Sequence, residues 1–147
     1  MPVVSGGTMT SDLLRGLATD LGAQGLATYT GDAGGNVFIK ELPASPDIAV
    51  ALTAYASVDD PKVSRSTVRV QFWFRGARND ALSPDAMADA VFAWLQGRED
   101  FTYGSVHVVQ AFRVSTVQLG SDGNKRHERT DNYEFDLDLP LTAGRPF

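Results

Sequence analysis

Cysteine is absent from this 147-residue chain. That one absence removes disulfides, thiolate catalysis and cysteine-based zinc sites. Histidine is nearly absent too: His107 falls inside a β-like run and His127 in a charged turn, without metal-ligand spacing between them. No apolar run approaches the roughly 18 residues that a helical membrane span needs, so no membrane partner is expected. The opening Met1-Pro-Val-Val-Ser-Gly-Gly7 lacks the basic and apolar stretches of a secretory leader, and none is expected. Cations are scarce in the first 60 residues, where Arg15 and Lys40 stand against seven acids; residues 61–147 hold eleven of each sign. With a formal net charge of −5 the chain grips nucleic acid poorly, because that affinity comes mainly from cations neutralising phosphates. No Gly-x-Ser-x-Gly is found and no Ser/His/Asp set is evident. No catalytic residue, cofactor or metal is therefore expected.

What remains has the apolar and charged content (43% and 21%) of one globular domain. Cap residues at Thr10-Ser11-Asp12 precede Leu13, Leu14, Leu17 and Leu21, a spacing that predicts a helix over about 11–23 ending at Gly22–Gly25. Residues 1–8 read as a flexible arm, with Met9 as an alternative start. Leu26–Thr30 and Asn36–Leu42 flank Gly31-Asp-Ala-Gly-Gly35 and read as a β-hairpin. A phosphate loop is disfavoured there, since neither Gly-Lys-Ser/Thr nor a helix start follows. Asp47–Ser57 alternates, with Ile48, Val50 and Leu52 on one side. Ser66–Arg75 is the clearest strand, with Val68, Val70, Phe72 and Phe74 on its core face and Thr67, Arg69, Gln71, Trp73 and Arg75 opposite.

Ser83-Pro84-Asp85 predicts a second helix, closed by Gly97 and carrying Met87, Val91, Trp94 and Leu95 on one stripe. Tyr103–Leu119 is β-rich with two partly apolar faces, and Gln110 interrupts it where a bulge is expected. A polar turn over Gly120–Thr130 leads into Asn132–Leu139, where Tyr133, Phe135 and Leu137 alternate with Glu134, Asp136 and Asp138. The expected fold is α+β: a mainly antiparallel sheet with two helices packed on one face, in the order α-β-β-β-β-α-β-β. The domain spans 9–140, followed by a tail over 141–147.

Three groups invite a functional reading. Glu134, Asp136 and Asp138 on one strand side could hold a divalent cation or serve a glycosidase pair, but a solvated or channel-facing row is the preferred reading. The acidic pairs Asp59–Asp60 and Glu99–Asp100 read as solvated turns. Trp73, flanked by Arg69 and Arg75, has the composition of an interface anchor, with burial inside the monomer the equal alternative. Lys125, Arg126 and Arg129 give a basic turn in an acidic chain, either a solvated tip or a contact to a partner or DNA.

The opening Thr-Ser-Asp-Leu-Leu helix, Gly-Asn-Val-Phe-Ile-Lys-Glu-Leu-Pro, Val-Arg-Val-Gln-Phe-Trp-Phe-Arg-Gly, a second helix and the closing Tyr-Glu-Phe-Asp-Leu-Asp-Leu strand form an ordered set. In that set the chain resembles, over roughly residues 9–139, the tail-terminator (minor capsid) proteins of long-tailed bacteriophages. The resemblance implies a structural virion protein at the head-proximal end of the tail. There a homohexameric ring would cap the tail tube, stop its polymerisation and dock the head–tail connector or stopper. DNA would pass through the lumen without specific binding. Another neck component, a stopper or head-completion protein, is the alternative; a small carboxylate-dependent hydrolase and a monomeric binding module rank below it.

Overall fold

The computed structural model describes residues 9–31, 35–60 and 62–139. The expected arm and tail, and residues 32–34 of the glycine cluster, lie outside the described residues.

The first helix, α1, runs Met9–Ala23 and buries Leu13, Leu14, Leu17, Ala18 and Leu21 along one stripe. Past its end Gly25 adopts φ 70°, and the Leu26 amide reaches back to the Leu21 carbonyl at 3.0 Å. A left-handed residue followed by such a bond satisfies carbonyls the helix leaves open. The helix begins earlier than its cap residues suggested.

Six strands follow: β1 (Val37–Ile39), β2 (Ala49–Asp59), β3 (Arg65–Arg78), β4 (Glu99–Tyr103), β5 (Val106–Ser121) and β6 (Arg126–Asp138), with the second helix, α2 (Ser83–Leu95), between β3 and β4. They form one sheet in the order β1-β2-β3-β6-β5-β4. Four neighbouring pairs are antiparallel and the β1–β2 pair is parallel, so the sheet is mixed, not mainly antiparallel. At the parallel edge Lys40, at φ 70°, follows β1, and the connection over residues 40–48 brings the chain back to run beside β1 in the same sense. Short connections ordinarily signal antiparallel neighbours, and here that rule misleads.

Other expectations are corrected as well. Leu26–Thr30 is not a strand and forms no β-hairpin with Asn36–Leu42. Instead the Thr28 amide donates to the Asn36 side-chain Oδ1 (2.7 Å) while the Asn36 amide donates to the Thr28 carbonyl (2.8 Å). A side chain thus stands where a ladder partner would be. Glu99–Asp100, expected in a turn, opens β4, and Tyr103–Leu119 divides at Gly104–Ser105 into the end of β4 and the start of β5. The order is therefore α-β-β-β-α-β-β-β. Ser83 does not cap α2: its hydroxyl accepts the Ala77 amide at 2.9 Å, and Leu82 occupies the cap position.

The core gathers Val50 and Leu52, Val68, Val70, Phe72 and Phe74, Val106 and Val108, and Tyr133, Phe135 and Leu137 with the buried stripes of both helices. Alternation along β3 and β6 places these residues on one side of each strand, as their period of two dictates. The helices do not simply lie side by side on one face. α1 touches β1 and β2 towards one edge and β4 and β5 towards the other, whereas α2 rests on β3, β6 and β5. Asp12 ties α1 to the β4–β5 turn, accepting the Ser105 amide (3.0 Å) and hydroxyl (2.6 Å), which hold its carboxyl below the usual range.

Candidate assembly interface

The cations singled out from the sequence divide sharply by burial. Arg126 is 3% exposed, binding Asp122 and Asp47 and the Ala44 carbonyl. Arg129 is 6% exposed and donates to both oxygens of fully buried Asp131 (2.9 and 3.1 Å) and to Asp85 and Asp89 on α2. Arg75 is buried and donates to the Pro46 and Asp47 carbonyls (2.5 and 2.9 Å). Burial, with Arg126 nearby, pulls the Arg75 guanidinium below its ordinary value. The expected basic turn is therefore not a turn beyond Lys125: β6 starts at Arg126, and its arginines clamp α2 and the loop before β2. Sequence alone hid this because the partners that cover them, Asp47 and the Ala44 carbonyl for Arg126, Asp85 and Asp89 for Arg129 and the Pro46 and Asp47 carbonyls for Arg75, lie far along the chain. Only Arg69, Trp73 and Lys125 of the six candidates retain appreciable exposure. Trp73 is half-buried, with its indole N–H donating to Glu128 at 3.1 Å.

The acidic row stands on the β6 side opposite Tyr133, Phe135 and Leu137. Each member has a partner: Glu134 pairs with Arg69 (3.3 Å), Asp136 accepts from Thr67 (3.3 Å), and Asp138 accepts from Ser64 (2.6 Å). His107 joins the end of the row, 2.6 Å from Asp100 and 3.9 Å from Asp138. Among the described residues no cluster of histidines and carboxylates has the arrangement of a metal site.

A shallow groove of about 510 Å³ lies between α1 and β4. Its polar wall is closed on itself, with the Tyr103 hydroxyl and Arg98 both donating to Asp20 (2.7 and 2.8 Å). Burial would raise the Asp20 carboxyl, but the bonds from Tyr103, Arg98 and Gln24 outweigh it and hold it low. Next to the groove the Ser105 hydroxyl donates to Asp12, the bond that ties α1 to the β4–β5 turn.

The surface has one other pronounced feature. From Val114 to Ser121 every residue of β5 is exposed, including Val117 (48%) and Leu119 (49%), and the stretch contains no charge. On β2, Tyr55 and Val58 (74%) are exposed in a similar stretch. The two-faced apolar pattern of β5 was readable in the sequence. The β2 patch was not singled out there, although the run Thr53-Ala-Tyr-Ala-Ser-Val58 carries it past the core.

No curated protein matches the sequence. A family profile described as bacteriophage tail terminator protein matches residues 20–139, from the second half of α1 to the residue after β6. With that match running through nearly the whole described sheet, the chain belongs to the bacteriophage tail terminator family and is a structural component of a phage tail.

Proposed function

We propose that this protein assembles into a ring, hexameric by the resemblance, that caps the head-proximal end of the tail tube. The cap stops tube growth and offers a docking surface to the head connector or stopper. The observation that carries the reading is the uncharged half of β5, exposed at every residue, on a protein of a tail family. Isolated apolar residues are ordinary on a surface, but a run of them along one strand marks a contact surface. The reading needs no catalytic group.

The acidic row faces the lumen or open solvent in this reading. Its partial pairing with Arg69 tempers its field, yet Asp136 and Asp138 still offer phosphate no cation to bind, as a conduit for DNA requires. Arg69, Trp73 and Lys125 remain candidates for contacts with a neighbouring subunit or partner. Two experiments test the function. Electron micrographs of the protein mixed with tail tubes should show rings on one tube end. A phage lacking the protein should make filled heads and unjoined tails, some overlong. Unjoined tails of normal length would instead assign it to the stopper position.

A further inference from the structure

Two strand edges are open, on opposite sides of the sheet. On one side β1 covers β2 only at Val50–Leu52, so residues 53–59 have no strand partner on that flank among the described residues. On the other side β4 pairs with β5 as far as Gln110, and residues 96–98 carry the bonding on to Ala111 and Arg113. Beyond them, residues 114–121 have no strand partner on their outer flank among the described residues. Apart from Asp59 at its end, neither stretch holds a charge or a proline, the usual devices that keep an edge from pairing.

We infer that residues 114–121 of β5 in one copy pair antiparallel with residues 53–59 of β2 in the next, so that one continuous sheet runs through the assembly. The inference rests on the ring reading and specifies how its subunits join. Four observations support a second copy as the occupant. The two edges have nearly equal length, seven and eight residues, and joining them uses up both. Strand sense fits, because β2, β3, β6 and β5 alternate in direction, so β2 of the next copy continues the antiparallel series after β5.

The edges are also offset in the way closure demands. Through the register, Val117 at the centre of one edge lies level with Ala51, whereas Ala56 at the centre of the other lies level with Phe112. Measured on the unbulged strands between them, from Trp73 to Arg69 and from Thr130 to Glu134, both comparisons give an offset of four residues, or about 14 Å along the strands, across four strands spanning about 19 Å. Head-to-tail joining would thus tilt the strands by about 35° to the ring axis, at the lower end of the 35–45° typical of closed barrels. Finally, the register irregularities at Val109 and between Arg75 and Arg78 lie outside the two open edges, while the other three, at Tyr55, Val114 and Leu119, fall on exposed apolar residues within them. Bulges at those positions bend the sheet towards closure and aim apolar side chains at the neighbour. With Ala56 opposite Val117, residues of the sheet face opposite the core meet on the same face, and Val58 meets Ser115 likewise.

The lack of native cysteine makes a cross-linking test clean. The double variant Ala56→Cys/Val117→Cys, oxidised after assembly, should give a ladder rising in steps of one 15.8 kDa chain. A mixture of the two single variants should stop at the dimer, and each single variant alone should stay uncross-linked. Val58→Cys/Ser115→Cys checks the same register from the neighbouring position. Val117→Lys should abolish assembly while the monomer keeps its circular dichroism. Light scattering on the uncross-linked protein separates the possible failures. Rings that form without cross-linking at either pair would overturn the edge pairing and leave the ring reading standing. Dimers from Val117→Cys alone would mean a two-fold β5–β5 contact and would also overturn it. A strict monomer, even with tail tubes present, would remove both.

Discussion

Arg129 separates a structural from an interfacial role most sharply, and Arg129→Ala is the substitution that tests it. Its guanidinium grips both oxygens of Asp131 and reaches Asp85, Asp89 and Thr116, with the Arg129 side chain 7% exposed and that of Asp131 at 0%. Truncation would leave Asp131 buried beside Arg113, at a longer 3.4 Å, and the Thr116 hydroxyl. Removing one member of a buried ion pair costs about 3–5 kcal/mol, because the surviving charge stays desolvated. The partners left to Asp131 put the expected loss at the lower end, about 3 kcal/mol. For a domain of this size that corresponds to a fall in Tm of about 6–12 °C. Urea unfolding by circular dichroism, at a concentration where the protein is monomeric, measures it without contribution from assembly. Asp131→Asn in the Arg129→Ala background should recover part of the loss, giving a coupling of about 2 kcal/mol in the double-mutant cycle. A monomer destabilised by less than about 1 kcal/mol, with assembly lost, would refute the clamp and return Arg129 to the interface.

Gly16→Ala should destabilise the monomer by about 1–3 kcal/mol, as overpacking does, because an added Cβ would stand 2.2 Å from the Tyr103 ring carbon Cγ; thermal unfolding and tyrosine fluorescence read the displaced ring. Stability should hold from neutral pH to about pH 5 and then fall: Asp122, held at about 2 by the Arg126 and Asn124 amides, and Asp12 and Asp85, also held below 3.8, stabilise the fold while ionised. Their contribution is present above the unfolded carboxylate value and lost as pH drops through the depressed folded values, so urea midpoints should decline most between about pH 4 and 2, less steeply in Asp122→Asn. Replacing Glu134, Asp136 and Asp138 together by Gln, Asn and Asn should leave Tm insensitive to EDTA, Ca²⁺ and Mg²⁺, as in the wild type; a metal-dependent rise in the wild type that the substitution abolishes would establish a metal site. In low-salt DNA-binding assays the wild type should bind weakly, and tight binding lost on neutralising Lys125 would identify a DNA-facing element instead.

Local physics made much of this protein legible from its sequence. The leucines at 13, 14, 17 and 21 have one helical solution that buries them, and the alternations of β3 and β6 have one side that can face a core. The two partly apolar faces of β5, and the resemblance to a tail terminator, were likewise present in the order of residues. Tertiary structure decided what local pattern cannot encode. The connection over residues 40–48 set β2 parallel to β1, against the rule that short loops join antiparallel neighbours. Three of the arginines that read as surface candidates became internal clamps once other elements packed over them: Arg75 against the loop before β2, Arg126 against that loop as well as Asp122, and Arg129 against α2 as well as Asp131. A charge looks solvated in sequence whenever its counter-charge is distant along the chain, since desolvation and pairing depend on separations in space. The open edges of β2 and β5 follow the same logic: whether a strand has a neighbour depends on where β1 and β4 stop, and no residue within β2 or β5 records that.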